Sequence, residues 1–322
     1  MADLAEMGRA AAVPRQRLVA VCGPTASGKT GLGVALARRF NGEIISADSM
    51  QIYRGLSVGT AKVTPQEACG VPHHLVDICD PAQTFSVADY VEHAREAIAQ
   101  VAARGRLPIV AGGTGLYLSS LMEGVRFAQQ PPTDGLRAAL EAEAARLGPQ
   151  AMWQQLQQID PACAAGIHPN NVKRVLRALE LFRQTGTTMS QQVAASRPPQ
   201  PPYDALVIGL RFADRSALYA RIDARVDAML SAGLLEEARW VWQNRLVCTT
   251  AAQAIGYKEF FPYFEKEQPL ELCVEELKRA SRRYAKRQLT WFGRMPQVHW
   301  LEADTLPCVT QAAETLLQEN GF

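Results

Sequence analysis

Residues 18–30 read LVAVCGPTASGKT, an apolar run that leads directly into a glycine-rich loop. Backbone N–H groups of such a loop, and the N-terminus of the helix after it, face a bound anion. Lys29 adds a positive charge, and the Thr30 hydroxyl is a ligand for Mg²⁺. The alternative, a glycine-rich turn with a surface lysine, is disfavoured by the strand and helix patterns on either side. The loop residues, Gly23-Pro24-Thr25-Ala26-Ser27-Gly28-Lys29-Thr30, match the phosphate-loop pattern G-x-x-x-x-G-K-S/T.

The chain around this loop alternates short apolar runs with helical patterns through about residue 125. Such alternation is typical of βαβ units and a parallel sheet. From residue 129 the pattern is helical and broken by Pro and Gly, and a stiff linker, RPPQPP, occupies residues 197–202. The predicted strands are Leu18–Cys22, Glu43–Ala47, Leu107–Ala111 and Ala205–Leu210, and the predicted helices include Thr30–Phe40, Val87–Ala103, Val172–Arg183, Asp214–Ala232, Leu234–Asn244 and Pro269–Phe292.

These elements predict an α/β fold with a P-loop-type parallel sheet core flanked by helices and an all-helical insertion domain. The core comprises residues 1–128 and 200–322, and the insertion comprises residues 129–199. After residue 210 the sequence predicts mostly helices. Residues 75–78, LVDI, resemble a strand that follows His73 and His74, and these histidines lack partners at metal-ligand spacing. We therefore expect a structural role for both histidines and no zinc site.

Composition narrows the class of protein. Apolar residues make up 48% of the chain and charged residues 20%, as in ordinary globular enzymes. A net charge of +2 means that any nucleic-acid-binding surface must be local. Seven dispersed cysteines without a C-x-x-C pair favour free thiols in a reducing compartment. With no signal peptide and no apolar run of membrane-spanning length, the sequence predicts a cytoplasmic protein.

The ends of the predicted strands carry the remaining candidate residues, because parallel sheets bind ligands at the carboxyl ends of their strands. The strand at 107–111 ends in Gly112-Gly113-Thr114-Gly115, without the acid that usually holds Mg²⁺ in a P-loop NTPase. Asp77 and Asp80 are weak substitutes, which disfavours ordinary nucleotide hydrolysis. Asp48 follows the second strand and is either a functional carboxylate or a helix N-cap with Gln51 three residues on. Thr114 is either functional or a turn residue.

Six motifs together resemble the tRNA dimethylallyltransferases, also called tRNA isopentenyltransferases. The resemblance covers residues 18–300, and the motifs occur in the family's order. They are GPTASGKT (23–30), ISADSMQIYRGLSVGTAK (45–62), VAGGTGLY (110–117), IHPNNVKRVLRALE (167–180), AIGYKE (254–259) and KRQLTWFGR (286–294).

The resemblance implies transfer of a dimethylallyl group from dimethylallyl diphosphate to the exocyclic N6 of an adenine. That adenine lies immediately 3′ of the anticodon in tRNAs that read codons beginning with U. Residues 23–30 then hold the diphosphate leaving group, with Lys29 and with Mg²⁺ on Thr30. Asp48 is the implied general base, and Thr114 contacts the amine or the diphosphate. Arg221 or Arg225, with Arg225 favoured, contributes further donors unless acids on the same helix (Asp214, Asp223 or Asp227) pair with them.

The resemblance also implies that the anticodon arm of tRNA contacts several segments and that the protein is a monomer. The adenine must flip out of its stack, as in other base-modifying enzymes. The implied tRNA contacts are Asp48, Ser49, Met50 and Gln51, then Lys173, Arg174, Val175, Leu176 and Arg177 on the insertion, and Gln253, Ala254, Ile255, Gly256, Tyr257 and Lys258.

A basic stripe on the last long predicted helix suggests a further RNA contact. The stripe has only Glu275–Arg279 as a pair at i, i+4, so we favour phosphate binding over a solvated face. Trp291 and Phe292, at the end of that helix, are assigned to the core in preference to base stacking. The stripe consists of Lys278, Arg279, Arg282, Arg283, Lys286 and Arg287, of which Arg283, Lys286 and Arg287 are the predicted contacts.

Two other functions remain open from the residues alone. The loop by itself is compatible with an ATP-dependent small-molecule or nucleoside kinase, which would need an acid for Mg²⁺ and would consume ATP. It is also compatible with an RNA-binding switch that holds a nucleotide without transferring a group.

Overall fold

The computed structural model describes residues 15–127 and 135–322. The chain divides into two compact units, Met1–Met122 with Pro202–Phe322 and Glu123–Pro201. Among the described residues, no helix combines the length and the apolar character needed to cross a membrane.

The first unit is built on a six-stranded sheet in which every pairing is parallel. The strands are β1 (Gln16–Cys22), β2 (Gly42–Ser46), β3 (His73–His74), β4 (Leu107–Gly112), β5 (Tyr203–Arg211) and β6 (Val298–Glu302). Their order across the sheet is β3-β2-β4-β1-β5-β6, so β1, which leads into the phosphate loop, lies centrally. Because all strands are parallel, their carboxyl ends lie along one edge.

The helices of the described residues cover both faces of this sheet and make up most of the second unit. In chain order they are α1 (Lys29–Arg39), α2 (Pro65–Ala68), α3 (Val87–Ala103), α4 (Gly115–Met122), α5 (Leu136–Leu147), α6 (Pro149–Ile159), α7 (Pro161–Ala165), α8 (Val172–Thr185), α9 (Met189–Ser196), α10 (Arg215–Ser231), α11 (Leu234–Gln243), α12 (Phe261–Phe264), α13 (Leu270–Phe292) and α14 (Val309–Glu319).

The continuous apolar run Leu18–Cys22, which ends β1, follows from burial on both faces of the sheet. Leu18, Ala20 and Cys22 face a core cluster that includes residues of α3 and α4. Val19 and Val21 face the opposite cluster, which includes residues of α1 and α14. Side chains alternate between faces along a strand, and a parallel sheet covered on both sides therefore needs apolar residues at every position.

The predicted α/β class is confirmed, with two corrections to its strands. Residues 75–78 are not a strand, because Leu75 and Asp77 adopt left-handed backbone angles with φ of +61° and +56°. The two residues of β3, immediately before this segment, pair with β2 instead. β6 lies in a region predicted to be mostly helical, and it pairs with β5 at the edge of the sheet.

The second unit is helical in all of its described elements, α5 to α9. Its core includes Leu140, Met152, Leu156, Val175 and Leu179, each at most 1% exposed. The carboxylate of Asp160 is buried within it and accepts hydrogen bonds from Cys163 N and from the backbone and hydroxyl of Ser190. This unit thus has a hydrophobic core of its own.

Candidate active site

The phosphate loop connects β1 to α1 through backbone angles that glycine favours. Gly23 has φ of +145°, and a Cβ there would lie 2.6 Å from the carbonyl oxygen of Leu210. Gly28, immediately before α1, has φ of +93°. Both positions therefore disfavour a side chain. Lys29 Nζ donates a hydrogen bond of 2.6 Å to the carbonyl of Pro24, which folds the lysine back over its own loop.

Electrostatics tie Lys29 to two of the other predicted residues. Burial and, second, the charge of Arg225 lower the pKa of Lys29 from 10.5 to about 8, and the charge of Asp48 opposes this shift. Burial also lowers the pKa of Arg225, against the opposing effect of Asp48. Lys29, Arg225 and Asp48 therefore share one electrostatic environment. Beneath the loop, burial raises the pKa of the Cys22 thiol to about 12, which keeps it neutral.

Asp48 lies two residues beyond β2, in a turn and not at the start of a helix. Its Oδ1 accepts hydrogen bonds from Met50 N at 2.9 Å and Gln51 N at 3.4 Å. Its Oδ2 has no hydrogen-bond partner among the described residues, so one oxygen remains for chemistry. The predicted capping box is wrong, because the Gln51 amide instead bonds Ser46 Oγ and the carbonyls of residues 60 and 61.

Thr114 lies beside this turn, two residues after β4. Its Oγ1 accepts a hydrogen bond of 3.0 Å from Ser49 N, and its own N–H donates to the carbonyl of Ala47 at 3.1 Å. Thr114 therefore holds the backbone on both sides of Asp48. Its implied contact with the reacting amine or the diphosphate stays a prediction.

Arg221 and Arg225 lie one turn apart on α10 and both line the cleft described below. Arg221 is exposed, and its Nε donates to the carbonyl of Ala26 at 3.0 Å. Arg225 is half-buried and has no salt bridge among the described residues. The alternative, that Arg221 and Arg225 pair with acids of the same helix, is wrong, because those acids have other partners. Asp214 accepts a hydrogen bond from Ser216 N, Asp223 pairs with Arg282, and Asp227 pairs with Lys278.

These side chains surround one cleft of about 820 Å³ in the first unit. The phosphate loop and the two arginines give it a cationic, donor-rich end. Four apolar side chains form another part of its lining, namely Ile222, Val226, Met229 and Leu277. The cleft therefore suits a ligand with an anionic head and a small apolar body. Other lining residues include Thr25, Ala26, Ser27, Gly28, Lys29, Thr30, Asp48, Ser49, Met50, Gln51, Gln253, Ala254, Ile255 and Gly256.

Several predicted RNA contacts have buried side chains. Val175 and Leu176 are 0% and 2% exposed in the core of the second unit. Tyr257 is 0% exposed and donates its hydroxyl to Glu237 Oε1 at 2.8 Å. The prediction that these three side chains contact RNA is therefore wrong, and they support the segments that carry them. The side chains of Lys173, Arg174, Arg177, Gln253 and Lys258 are exposed.

The basic stripe on α13 is more fully paired than the sequence predicted. Lys278 bonds Asp227 at 2.8 Å, and Arg282 bonds Asp223 at 2.5 Å. Arg279 pairs with Glu276 instead of Glu275, and Arg283 lies 3.9 Å from the same Glu276. The stripe therefore has more acidic partners than i, i+4 pairing alone predicted, because two of them lie on α10. Lys286 and Arg287 remain exposed, without salt bridges among the described residues.

Sequence reasoning missed two features of the site. Gln288 lines the cleft although it lies on α13, on the same face as Leu277 and Tyr284. A glutamine on an apolar face was the available signal. The second feature is the segment at residues 59–63, which lines the cleft. Its first residue, Gly59, donates its N–H to Glu237 Oε1. No pattern linked that glutamate to a loop 178 residues away.

Three comparisons place the chain among known proteins. The family model described as IPP transferase matches residues 51–295, and one described as isopentenyl transferase matches residues 16–79. The tRNA dimethylallyltransferase of Geobacillus thermodenitrificans is 49% identical over 89% of this chain and 90% of its own length. That of Bacillus subtilis is 46% identical over 89% of this chain and 91% of its own.

Solved structures agree with the sequence comparisons. The tRNA isopentenylpyrophosphate transferase of Bacillus halodurans superposes with a TM-score of 0.70 at 43% identity, covering 95% of this chain and 98% of that one. A eukaryotic dimethylallyltransferase acting on tRNA gives a TM-score of 0.79 at 29% identity, covering 95% of this chain and 79% of its own. On the matched length and these identities, the chain belongs to the IPP transferase family, alongside the curated tRNA dimethylallyltransferases.

Proposed function

We propose that this protein transfers the dimethylallyl group of dimethylallyl diphosphate to the exocyclic N6 of an adenine in tRNA. The adenine is the one immediately 3′ of the anticodon in tRNAs that read codons beginning with U. The observation that carries the proposal is the cleft itself, which combines the phosphate loop, a carboxylate oxygen of Asp48 without a partner among the described residues, and an apolar wall. A P-loop kinase would instead hold Mg²⁺ with an acid at the end of a strand beside β1, and β4, which pairs with β1, ends in Gly112-Gly113-Thr114 without one.

The cationic end of the cleft supports the assignment of the diphosphate. When the allylic C–O bond breaks, negative charge accumulates on the departing diphosphate and positive charge on the five-carbon fragment. Backbone N–H groups of the loop, the Lys29 ammonium and the Arg225 guanidinium stabilise the departing anion. Arg225 is better suited than Arg221, because Arg221 already donates to the carbonyl of Ala26.

The donor set fits Mg²⁺ held mainly by the substrate. The described residues contain no group of three or more His, Cys, Asp or Glu side chains that could hold a metal ion. Thr30 is exposed, lines the cleft and has no hydrogen bond to another described side chain. Mg²⁺ keeps several waters and often takes only one or two protein ligands besides phosphates, so Thr30 and diphosphate oxygens suffice. When bound, the ion supplies charge neutralisation to the leaving group.

The carboxylate of Asp48 supplies the base. The N6 lone pair is delocalised into the adenine ring, so the amine attacks effectively only if its proton is removed as the C–N bond forms. Asp48 Oδ2 accepts that proton, while Oδ1 stays bonded to Met50 N and Gln51 N. A positioned general base of this kind contributes about 10²–10⁴-fold to the rate.

The apolar lining supports a small prenyl group. Ile222, Val226 and Leu277 are each at most 3% exposed, so they form a rigid wall and not a flexible one. Packing against this wall would place the reactive carbon between the diphosphate and Asp48. An apolar wall around the five-carbon fragment would also exclude water and so protect the cation-like fragment from hydrolysis.

Exposed cations on both units support binding of the tRNA. Lys173 and Arg174 on α8, and Lys286 and Arg287 on α13, are exposed and suited to phosphate contacts. The adenine would flip out of the anticodon loop to reach the cleft. Ser49, Met50 and Gln51 then line the place that it would occupy.

The test is an assay with labelled dimethylallyl diphosphate, Mg²⁺ and unmodified tRNA, run with and without ATP. We expect label in the tRNA without ATP. The matched control is the same tRNA with guanine in place of the adenine 3′ of the anticodon, which should take up no label. ATP consumption without label would favour the kinase, and tRNA binding without label or ATP consumption would favour the RNA-binding switch.

A further inference from the structure

Gln288 on α13 is a buried polar side chain that is 5% exposed and makes two hydrogen bonds to distant backbone groups. Its Oε1 accepts from Thr25 N in the phosphate loop at 2.8 Å. Its Nε2 donates to the carbonyl of Gly113, just beyond β4, at 2.9 Å. These partners lie 263 and 175 residues away in the sequence. One amide therefore links two separate strand ends.

The contact with Gly113 is close. A Cβ placed on Gly113 would lie 2.3 Å from Gln288 Nε2, so only a glycine lets the amide approach the backbone. The next residue, Thr114, accepts from Ser49 N beside Asp48. An unbroken series of hydrogen bonds and short chain segments thus runs from the phosphate loop through Gln288 to the turn that carries the carboxylate.

We propose that Gln288 is a positioning residue that fixes the phosphate loop relative to Asp48, and thereby sets the distance from leaving group to base. This inference rests on the proposed function. An amide suits the task because it carries a donor and an acceptor at one planar end, whereas an ionised carboxylate only accepts. Displacement of reacting groups by about 1 Å can cost about 10²-fold in rate.

A purely structural glutamine would behave differently. Removing its amide leaves Thr25 N and the Gly113 carbonyl unpaired, which costs stability whatever the role of the residue. A structural role would lower the melting temperature without a specific loss of kcat. A positioning role lowers kcat in enzyme that is still folded and still binds tRNA.

The test uses two substitutions and one control on the same helix. Gln288→Met removes both hydrogen bonds and keeps the length of the side chain. Gln288→Glu keeps the shape, and its introduced carboxyl can both donate and accept only when it is protonated. Cys273→Ala is the control, because Cys273 is 0% exposed on α13 and does not line the cleft. Activity is measured as kcat and KM for dimethylallyl diphosphate with saturating tRNA, below the melting temperature of each variant.

For Gln288→Met we expect kcat to fall by about 10²-fold, with a much smaller change in KM. For Gln288→Glu we expect the ratio of its kcat to that of the unsubstituted protein to rise as the pH falls from about 8 to about 6. Burial raises the pKa of the introduced carboxyl and the charges of Lys29 and Arg225 in the same cleft oppose that rise, and protonation as the pH falls restores both bonds. Cys273→Ala should lose stability but keep kcat.

The positioning role is overturned if both Gln288 variants keep kcat. It is also overturned if Cys273→Ala loses as much activity as Gln288→Met. Failure of the proposed function is a separate result, because the unsubstituted protein would then transfer no label at all.

Discussion

Replacing Arg225 by glutamine removes a guanidinium that acts on the cleft in two ways. Under the proposed function the first is direct, through donors to the departing diphosphate. A hydrogen bond to a charged group contributes about 1.5–3 kcal/mol, so kcat/KM for dimethylallyl diphosphate should fall by about 10- to 150-fold. Arg221→Gln is the matched control from the adjacent turn, and we expect it to have the smaller effect because Arg221 is exposed and already donates to Ala26.

The second effect acts through Lys29. Its pKa of about 8 lies below the ordinary 10.5 because of burial first and the charge of Arg225 second. Lys29 is therefore charged below about pH 8 and neutral above it, so kcat/KM should decline above about pH 8. Without Arg225 the pKa of Lys29 rises, and the alkaline decline should move to higher pH. Since burial remains, the decline should still begin below the pH expected for a free lysine.

The assay is the pH profile of kcat/KM for dimethylallyl diphosphate, which reports ionisations of the free enzyme. Arg221→Gln should leave the position of the alkaline decline unchanged, because Arg221 is not among the charges that shift the pKa of Lys29. An Arg225→Gln profile with its decline at the original pH would refute the electrostatic link between the two residues. An equal loss of kcat/KM in both variants would refute the choice of Arg225.

Two further substitutions test other parts of the site. Glu237→Gln should lower the free energy of unfolding in urea by about 1–3 kcal/mol, because the Glu237 carboxylate accepts hydrogen bonds from the N–H groups of Ser57, Val58 and Gly59. An unchanged midpoint of urea unfolding would contradict this. Lys286→Gln should lower the slope of log tRNA affinity against log salt by about 0.7–0.9. Lys278→Gln is the control and should leave the slope unchanged, because Lys278 is paired with an aspartate. Equal slopes in both variants would exclude Lys286 as a phosphate contact.

The sheet core could be predicted because its signals are local. The apolar run of β1 and the glycine loop after it are contiguous in sequence, and both reflect burial and backbone angles at those same residues. Asp48 and Thr114 could be placed together because parallel strands end at one edge. The two-residue β3 and the edge strand β6 were missed, since neither carries a long apolar or alternating pattern.

The remaining features depend on partners that are distant in sequence. The stripe on α13 looked less paired than it is because two of its acidic partners, Asp223 and Asp227, lie on α10. The burial of Tyr257 could not be predicted either, because its ring packs against Gly59, which is distant in sequence. A Cβ on Gly59 would lie 2.5 Å from that ring. The two roles of the Gln288 amide likewise depend on segments far away along the chain. Such tertiary pairings leave no periodic signal in a single sequence.

The role of Asp48 is tested most directly by Asp48→Asn under single-turnover conditions, with enzyme in excess over labelled dimethylallyl diphosphate and tRNA. Asparagine keeps an oxygen that can accept from Met50 N and Gln51 N, so the turn survives and only the base is removed. Ser49→Ala in the same turn is the control for a local disturbance. We predict unchanged tRNA affinity and a transfer rate about 10²–10⁴-fold lower in Asp48→Asn. Undiminished transfer by this variant would contradict the assignment of Asp48 as the general base.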